Sequence, residues 1–145
     1  MILDLIYSFI ATYFFALIMN APRKSLVFSS LIASLGYFIY SVCLNYNQQL
    51  MGFFLGTLAI ALFGELCARK IKMPATIFIF PALVPIVPGL GLYQMMLEFV
   101  QNDVYEALLV GIKTLSYIGA MSVAIALVSL ILTKAPNKIY GDLRK

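Results

Sequence analysis

Long runs of apolar residues, separated by short polar clusters, dominate this sequence. Five of the runs are long enough to form helices that cross a bilayer, because a crossing takes about 20 mostly apolar residues. The clusters between them contain asparagine, glutamine, lysine or arginine, which favour the ends of spans. The pattern predicts an all-α integral membrane protein with five transmembrane helices in a single domain, residues 1–145. The predicted spans cover residues 2–19, 25–44, 50–68, 74–97 and 114–133.

A more polar stretch, from Glu98 to Lys113, separates the fourth and fifth runs. A sixth span would have to include residues 104–113, which are too few and too charged for a crossing. Small and apolar residues nevertheless recur there at helical spacing. We therefore expect either an interfacial turn or an extension of the fifth helix. The residues at helical spacing are Val104, Ala107, Leu108 and Gly111.

The basic residues predict the orientation of the chain, because loops rich in lysine and arginine stay in the cytoplasm. Lys113 stands alone between spans four and five, whereas the other nine basic residues follow spans one, three and five. This asymmetry predicts an N-terminus outside the cell and a C-terminus in the cytoplasm. The first run has no basic region before it and no cleavage signal, so we expect it to be retained as a span.

The composition excludes several classes of protein. Hydrophobic residues make up 63% of the chain and charged residues only 11%, which is unlike a soluble, disordered or nucleic-acid-binding protein. The chain has no histidine, and its two cysteines, Cys43 and Cys67, lack the spacing of a zinc or redox motif. Neither a catalytic triad nor a paired-carboxylate site can be assembled. We expect no enzymatic activity, no metal, no cofactor and no nucleic-acid partner.

The fourth run contains three prolines within eight residues, followed by two glycines. Each proline removes a backbone donor and clashes with the preceding turn, so a break over residues 81–91 is predicted near the middle of the hydrocarbon layer, with a second half-helix from about Gly89. Broken helices form substrate sites in transporters, and amides from Gly89 to Tyr93 would attract a carboxylate. A kinked packing helix is the alternative. The predicted substrate-binding residues are Pro81, Pro85, Pro88, Gly89, Gly91, Tyr93 and Gln94.

Glu65 is the carboxylate placed well inside a predicted span, whereas Asp4 lies near the end of the first. A carboxylate in the membrane is costly unless it is paired or hydrated, which makes Glu65 a candidate for the proton-carrying group. Arg69 follows four residues later, so an ion pair along the helix is the alternative explanation.

A pair of glycines, Gly52 and Gly56, forms a GxxxG motif in the third run. Small residues at this spacing allow a second helix to approach closely. The motif predicts close helix packing, either within this chain or against a partner.

The segment from Phe80 to Met96 resembles the bacterial threonine/serine exporter family, whose members share a P-x-x-x-P-x-V-P-G-x-x-x-Y-x-x-M pattern. The resemblance extends over essentially the whole chain and corresponds to the short C-terminal module of the family. That module is either fused behind a larger half or encoded as a separate small subunit, and one two-subunit branch is associated with succinate export. The matching residues are Pro81, Pro85, Val87, Pro88, Gly89, Tyr93 and Met96.

The resemblance implies a multi-pass protein of the bacterial inner membrane that works as the small subunit of a two-component secondary exporter. Its expected partners are the larger membrane subunit of the same family, a small carboxylate-bearing substrate and the lipid bilayer. Threonine and serine are possible substrates, as are dicarboxylates such as succinate, and export would be driven by the proton gradient. The alternative is a non-transporting membrane scaffold that stabilises a transporting partner.

Overall fold

In the computed structural model, residues 2–134 are described and form six α-helices with short connections. This described part contains no strand, so the all-helical class is confirmed. The helices are α1 (Ile2–Ile18), α2 (Arg23–Asn45), α3 (Gln49–Ile71), α4 (Thr76–Leu83), α5 (Gly89–Val100) and α6 (Val104–Lys134).

Three of these helices, α2, α3 and α6, are each long and apolar enough to cross a membrane. Helix α1 is apolar but has 17 residues, and α4 and α5 together replace the fourth predicted span. The boundaries of α2 and α3 agree with the second and third predicted spans to within a few residues. The count of five crossings and the orientation stay predictions.

Helix α6 begins ten residues before the fifth predicted span. The helix starts at Val104, whereas the predicted span starts at Thr114, so residues 104–113 extend the helix and do not form an interfacial turn. Asp103 explains the start, because its carboxylate accepts a hydrogen bond from the Glu106 amide at 3.1 Å. A side-chain acceptor at this position satisfies a donor that the first turn of a helix would otherwise leave free.

Asparagines in left-handed backbone conformations lie in three of the connections. Asn20, Asn47 and Asn102 have φ angles of 54°, 57° and 62°, and they follow α1, α2 and α5. Asparagine tolerates this conformation better than most residues because its short side chain can bond locally. These residues turn the chain sharply and keep the connections short.

The main core lies where α2, α3 and α4 meet. Phe78 of α4, Ile60 of α3 and Ile86, just beyond α4, are the three largest fully buried side chains in the described part of the chain. Helix α4 has only eight residues but contacts α1, α2 and α3. Phe78, Pro81 and Ala82 are buried on the side of α4 that faces these helices, whereas Phe80 is 59% exposed.

Helices α2 and α3 approach each other through glycines. A Cβ atom added at Gly36 would overlap the side chain of Ile60 and lie 3.1 Å from the carbonyl oxygen of Gly56. A Cβ atom added at Gly56 would in turn lie 3.0 Å from the carbonyl oxygen of Gly36. The GxxxG motif therefore serves packing within this chain, with α2 as the neighbour.

The two halves of α6 pack against different helices. Near the middle of α6, Tyr117 stacks on Phe53 of α3, with ring centroids 4.6 Å apart. In the N-terminal half, the side chain of Thr114 occupies the space that a Cβ atom at Gly91 of α5 would need. Among residues 2–134, α5 contacts no helix other than α6, and none of its residues is buried.

Candidate substrate site at the broken helix

The fourth predicted span is broken. Helix α4 ends at Leu83, α5 begins at Gly89, and the residues between them form tight turns. The amides of Ile86 and Val87 both donate to the carbonyl of Leu83, at 2.9 and 3.1 Å, and the Gly89 amide donates to the carbonyl of Val87 at 2.7 Å. The predicted start of a second half-helix at Gly89 is confirmed.

The prolines explain the position of the break. Pro85 and Pro88 have no amide hydrogen, so the carbonyls of Pro81 and Val84, four residues earlier, lose their helical donors. The Pro81 carbonyl instead accepts from the Val84 amide at 3.3 Å, in a tighter turn. The break is shorter than the predicted 81–91, because Pro81 lies inside α4 and Gly91 inside α5. Pro81 does not interrupt α4, because one proline removes only one helical hydrogen bond and the Pro81 side chain is fully buried among its neighbours.

The break leaves backbone groups on both sides free for a ligand. No backbone acceptor for the amides of Leu90 and Gly91, and no backbone donor for the carbonyls of residues 84–86, is found in the part of the chain that the structure describes. The amides of Gly89 and Leu92 are already bonded within the turn, so the predicted set of amides is too wide. A helix N-terminus with free amides attracts anions, and unwound carbonyls attract cations or ammonium groups.

The contacts of α4 with α3 fix the level of the break. Ile79 lies against Gly64 of α3, and Ile86 lies against Gly56, so the two helices run antiparallel. The break therefore lies between the middle of α3 and its N-terminal end.

Two of the predicted site residues point away from the rest of the chain. Tyr93 is 63% exposed, Gln94 is also exposed, and neither side chain has a hydrogen-bond partner within residues 2–134. Gly91, by contrast, packs against Thr114, where a side chain would not fit. Gly91 thus belongs to the contact between α5 and α6, whereas Tyr93 and Gln94 lie on the outer surface of α5.

A sequence profile of the family described as threonine/serine exporter, ThrE, matches residues 4–131. The chain belongs to this exporter family. It is also 27% identical over 99 residues to an uncharacterized protein of Haemophilus influenzae, an alignment that covers 68% of this chain and 33% of the relative. The chain thus corresponds to about a third of that longer relative. No solved structure matches it.

Within the described residues, the Glu65 carboxylate has no bonding partner. It is half-buried in α3, and neither a hydrogen bond nor an ion pair joins it to another residue of the described range. The guanidinium of Arg69, one turn further along, instead donates to the carbonyl of Leu132 in α6. The alternative explanation of Glu65 as the ion-pair partner of Arg69 therefore finds no support in the geometry.

Sequence reasoning missed a polar contact near the candidate site. The Tyr117 hydroxyl donates to the side-chain oxygen of Gln49 at 2.7 Å, which joins α6 to the first residue of α3. A pocket of about 390 Å³ opens beside this pair. Tyr117 lies one turn from Thr114 and therefore close to the N-terminus of α5. The pocket is lined by Leu44, Asn47, Gln48, Gln49, Leu50, Met51 and Tyr117.

Sequence reasoning also missed a group of buried hydroxyls. The hydroxyls of Ser8, Thr12 and Thr57 are buried and have no hydrogen-bond partner in the described chain. Ser8 and Thr12 face α2 or α4, because α1 contacts only these helices. The spacing of Ser8, Thr12 and Ala16, four residues apart, is the signal that would have revealed this face. The contact of α1 with its neighbours is more polar than its apolar sequence indicates.

Proposed function

We propose that this chain is the small subunit of a two-component secondary exporter for small carboxylate-bearing metabolites. The substrates are threonine and serine, or a dicarboxylate such as succinate, and export is coupled to the proton gradient. The observation that carries the proposal is the broken helix between Leu83 and Gly89, found in a chain of the exporter family. Discontinuous helices of this kind bind substrates in many secondary transporters.

The free groups at the break match the chemistry of an amino acid. The amides of Leu90 and Gly91 would hold the substrate carboxylate, helped by the dipole of α5. The carbonyls of residues 84–86 would accept hydrogen bonds from an ammonium group. A Cβ atom built at Gly89 meets no atom within 4 Å, so no other part of the described chain covers the site at Gly89. The larger subunit would close it.

The membrane placement is part of the proposal. The chain crosses the bacterial inner membrane five times, with α4, the break and the start of α5 as the fourth crossing. The first turn of α2 and the last turn of α3 carry basic residues at the same end of the bundle, which supports a cytoplasmic location for that end. The basic residues after residue 134 lie outside the described range.

Transport by the reconstituted pair tests the proposed function. Labelled threonine, serine and succinate would be loaded into proteoliposomes that contain the larger subunit, with and without this chain, under an imposed pH gradient. We expect transport only with both chains, and the transported compound identifies the substrate class. Equal transport by the larger subunit alone would make this chain a scaffold and contradict the proposal.

Proton coupling through Glu65 gives a second prediction. Replacing Glu65 by glutamine keeps the size of the side chain but removes its titratable group. We expect the Glu65→Gln complex to lose the dependence of transport on the pH gradient, while substrate exchange without a gradient continues. A matched control is Glu98→Gln in α5, which should leave coupling unchanged. Coupling that survives in Glu65→Gln would exclude this residue as the proton carrier.

A further inference from the structure

The hairpin of α5 and residues 104–116 of α6, called here the α5–α6 hairpin, extends beyond the rest of the bundle. Tyr117 bonds to Gln49, the first residue of α3, and further along Arg69 bonds to Leu132. Helices α3 and α6 therefore run parallel, and the residues of α6 before Tyr117 lie past the start of α3. At about 1.5 Å per residue they reach roughly 15 to 20 Å beyond it.

This overhang does not fit into the same hydrocarbon layer as α3. With 23 residues, α3 already measures about 35 Å, against roughly 30 Å for the layer. The tip of the hairpin is also acidic, with Glu98, Asp103 and Glu106 close to its turn. Charged groups at this density belong in water. The tip therefore lies in the aqueous phase, at the end of the bundle opposite the basic residues.

The sides of the hairpin are apolar despite this position. Val100 of α5 is 80% exposed, and on α6 Leu108 and Ile112 are 53% and 62% exposed. Since α5 contacts only α6, no other element among residues 2–134 covers these side chains. Exposure of such a surface to water is unfavourable, and large apolar patches on proteins mark interaction sites.

We infer that the α5–α6 hairpin is the docking surface for the larger half of the exporter. The contact is made by an apolar segment of the larger half that leaves the bilayer on the same side as the hairpin. This inference rests on the proposed function. The Haemophilus influenzae relative points to this occupant, because about two thirds of that protein lies outside the matched region and is covalently joined to it. A second copy of this chain fits less well, since pairing two hairpins in parallel would bring their acidic tips together.

A matched pair of variants on α6 tests the inference. Leu108→Ser with Ile112→Ser removes apolar groups from the hairpin, and Leu130→Ser with Ile131→Ser makes the same change at the other end. All four side chains are more than half exposed, so neither variant opens a cavity in the chain. Each is co-expressed with the tagged larger subunit of the same organism. After purification in detergent, we expect the hairpin variant to retain less than about a tenth of the normal amount of the larger subunit. The control variant should retain the normal amount.

Photo-crosslinking identifies the occupant in the unmodified complex. A photoreactive amino acid at Leu108 or Ile112 should form an adduct with the tagged larger subunit, whereas the same group at Leu130 should not. Adducts between two copies of this chain, or no protein adduct from the hairpin, would overturn the inference. Transport measured on the same preparation separates the two proposals: transport without a hairpin adduct refutes the docking surface alone, and an adduct without transport refutes the proposed function alone.

Discussion

The combined substitution Pro88→Ala and Gly89→Ala is expected to abolish export by the assembled complex. An alanine at position 88 supplies the amide hydrogen that the Val84 carbonyl lacks, and an alanine at position 89 favours helix over turn. The two changes together favour a continuous helix by about 4 kcal/mol. The initial rate of labelled substrate export in proteoliposomes should fall by more than about tenfold, because the free amides and carbonyls of the break would then bond to each other.

The control for this prediction is Gly119→Ala in α6. At Gly119, as at Gly89, an added Cβ atom meets nothing within 4 Å, so both glycine substitutions are sterically free. The control should export at the normal rate. Retention of the larger subunit during purification shows whether the double variant still assembles. An assembled double variant that exports normally would make the broken-helix mechanism wrong.

The break could be predicted from the sequence because proline acts locally. Each missing amide hydrogen affects a carbonyl only four residues away, so Pro85 and Pro88 are sufficient to end a helix whatever surrounds it. The extent of the break was less predictable. Whether Pro81 interrupts a helix depends on how well its neighbours enclose it, and here it is fully buried inside α4.

The start of α6 shows a local signal that hydropathy conceals. Asp103 followed three residues later by Glu106 is a capping pattern, and it marks the true first turn of the helix. The charges of Glu106 and Lys113 lower the mean hydropathy of residues 104–113, so this part of the helix resembles a connection between two spans. Hydropathy reports which residues fit lipid, not which residues are helical, and the two differ where a helix extends past the bilayer.

The contacts that position the site were not predictable, because they join distant parts of the sequence. Helical spacing offers Glu65 to Arg69 as an ion-pair partner one turn away, but the Arg69 guanidinium donates to the carbonyl of Leu132 on another helix. Tyr117 similarly bonds to Gln49 across 68 positions. Helical spacing reveals neighbours on one helix only, and which helices meet depends on the packing of the whole bundle.

The largest loss of stability is expected from Gly36→Ala, at the closest approach of α2 and α3. The added methyl group would overlap the side chain of Ile60, and the carbonyl of Gly56 leaves little room for the helices to separate. Overpacking of this kind costs about 1–3 kcal/mol, which exceeds the gain of up to about 1 kcal/mol in helix propensity. Unfolding of the purified chain in mixed micelles, followed by helicity, should show this destabilisation.

A second substitution distinguishes overpacking from a general effect of alanine on α2. Ile60→Ala removes both side-chain carbons that the new methyl group would overlap and alone should cost about 2–5 kcal/mol. Combined with Gly36→Ala it should cost less than the sum of the two, because the smaller side chain makes room for the new methyl group. Gly119→Ala changes helix propensity without a clash and should not destabilise the chain. Additive costs at positions 36 and 60 would contradict the close approach of the two helices.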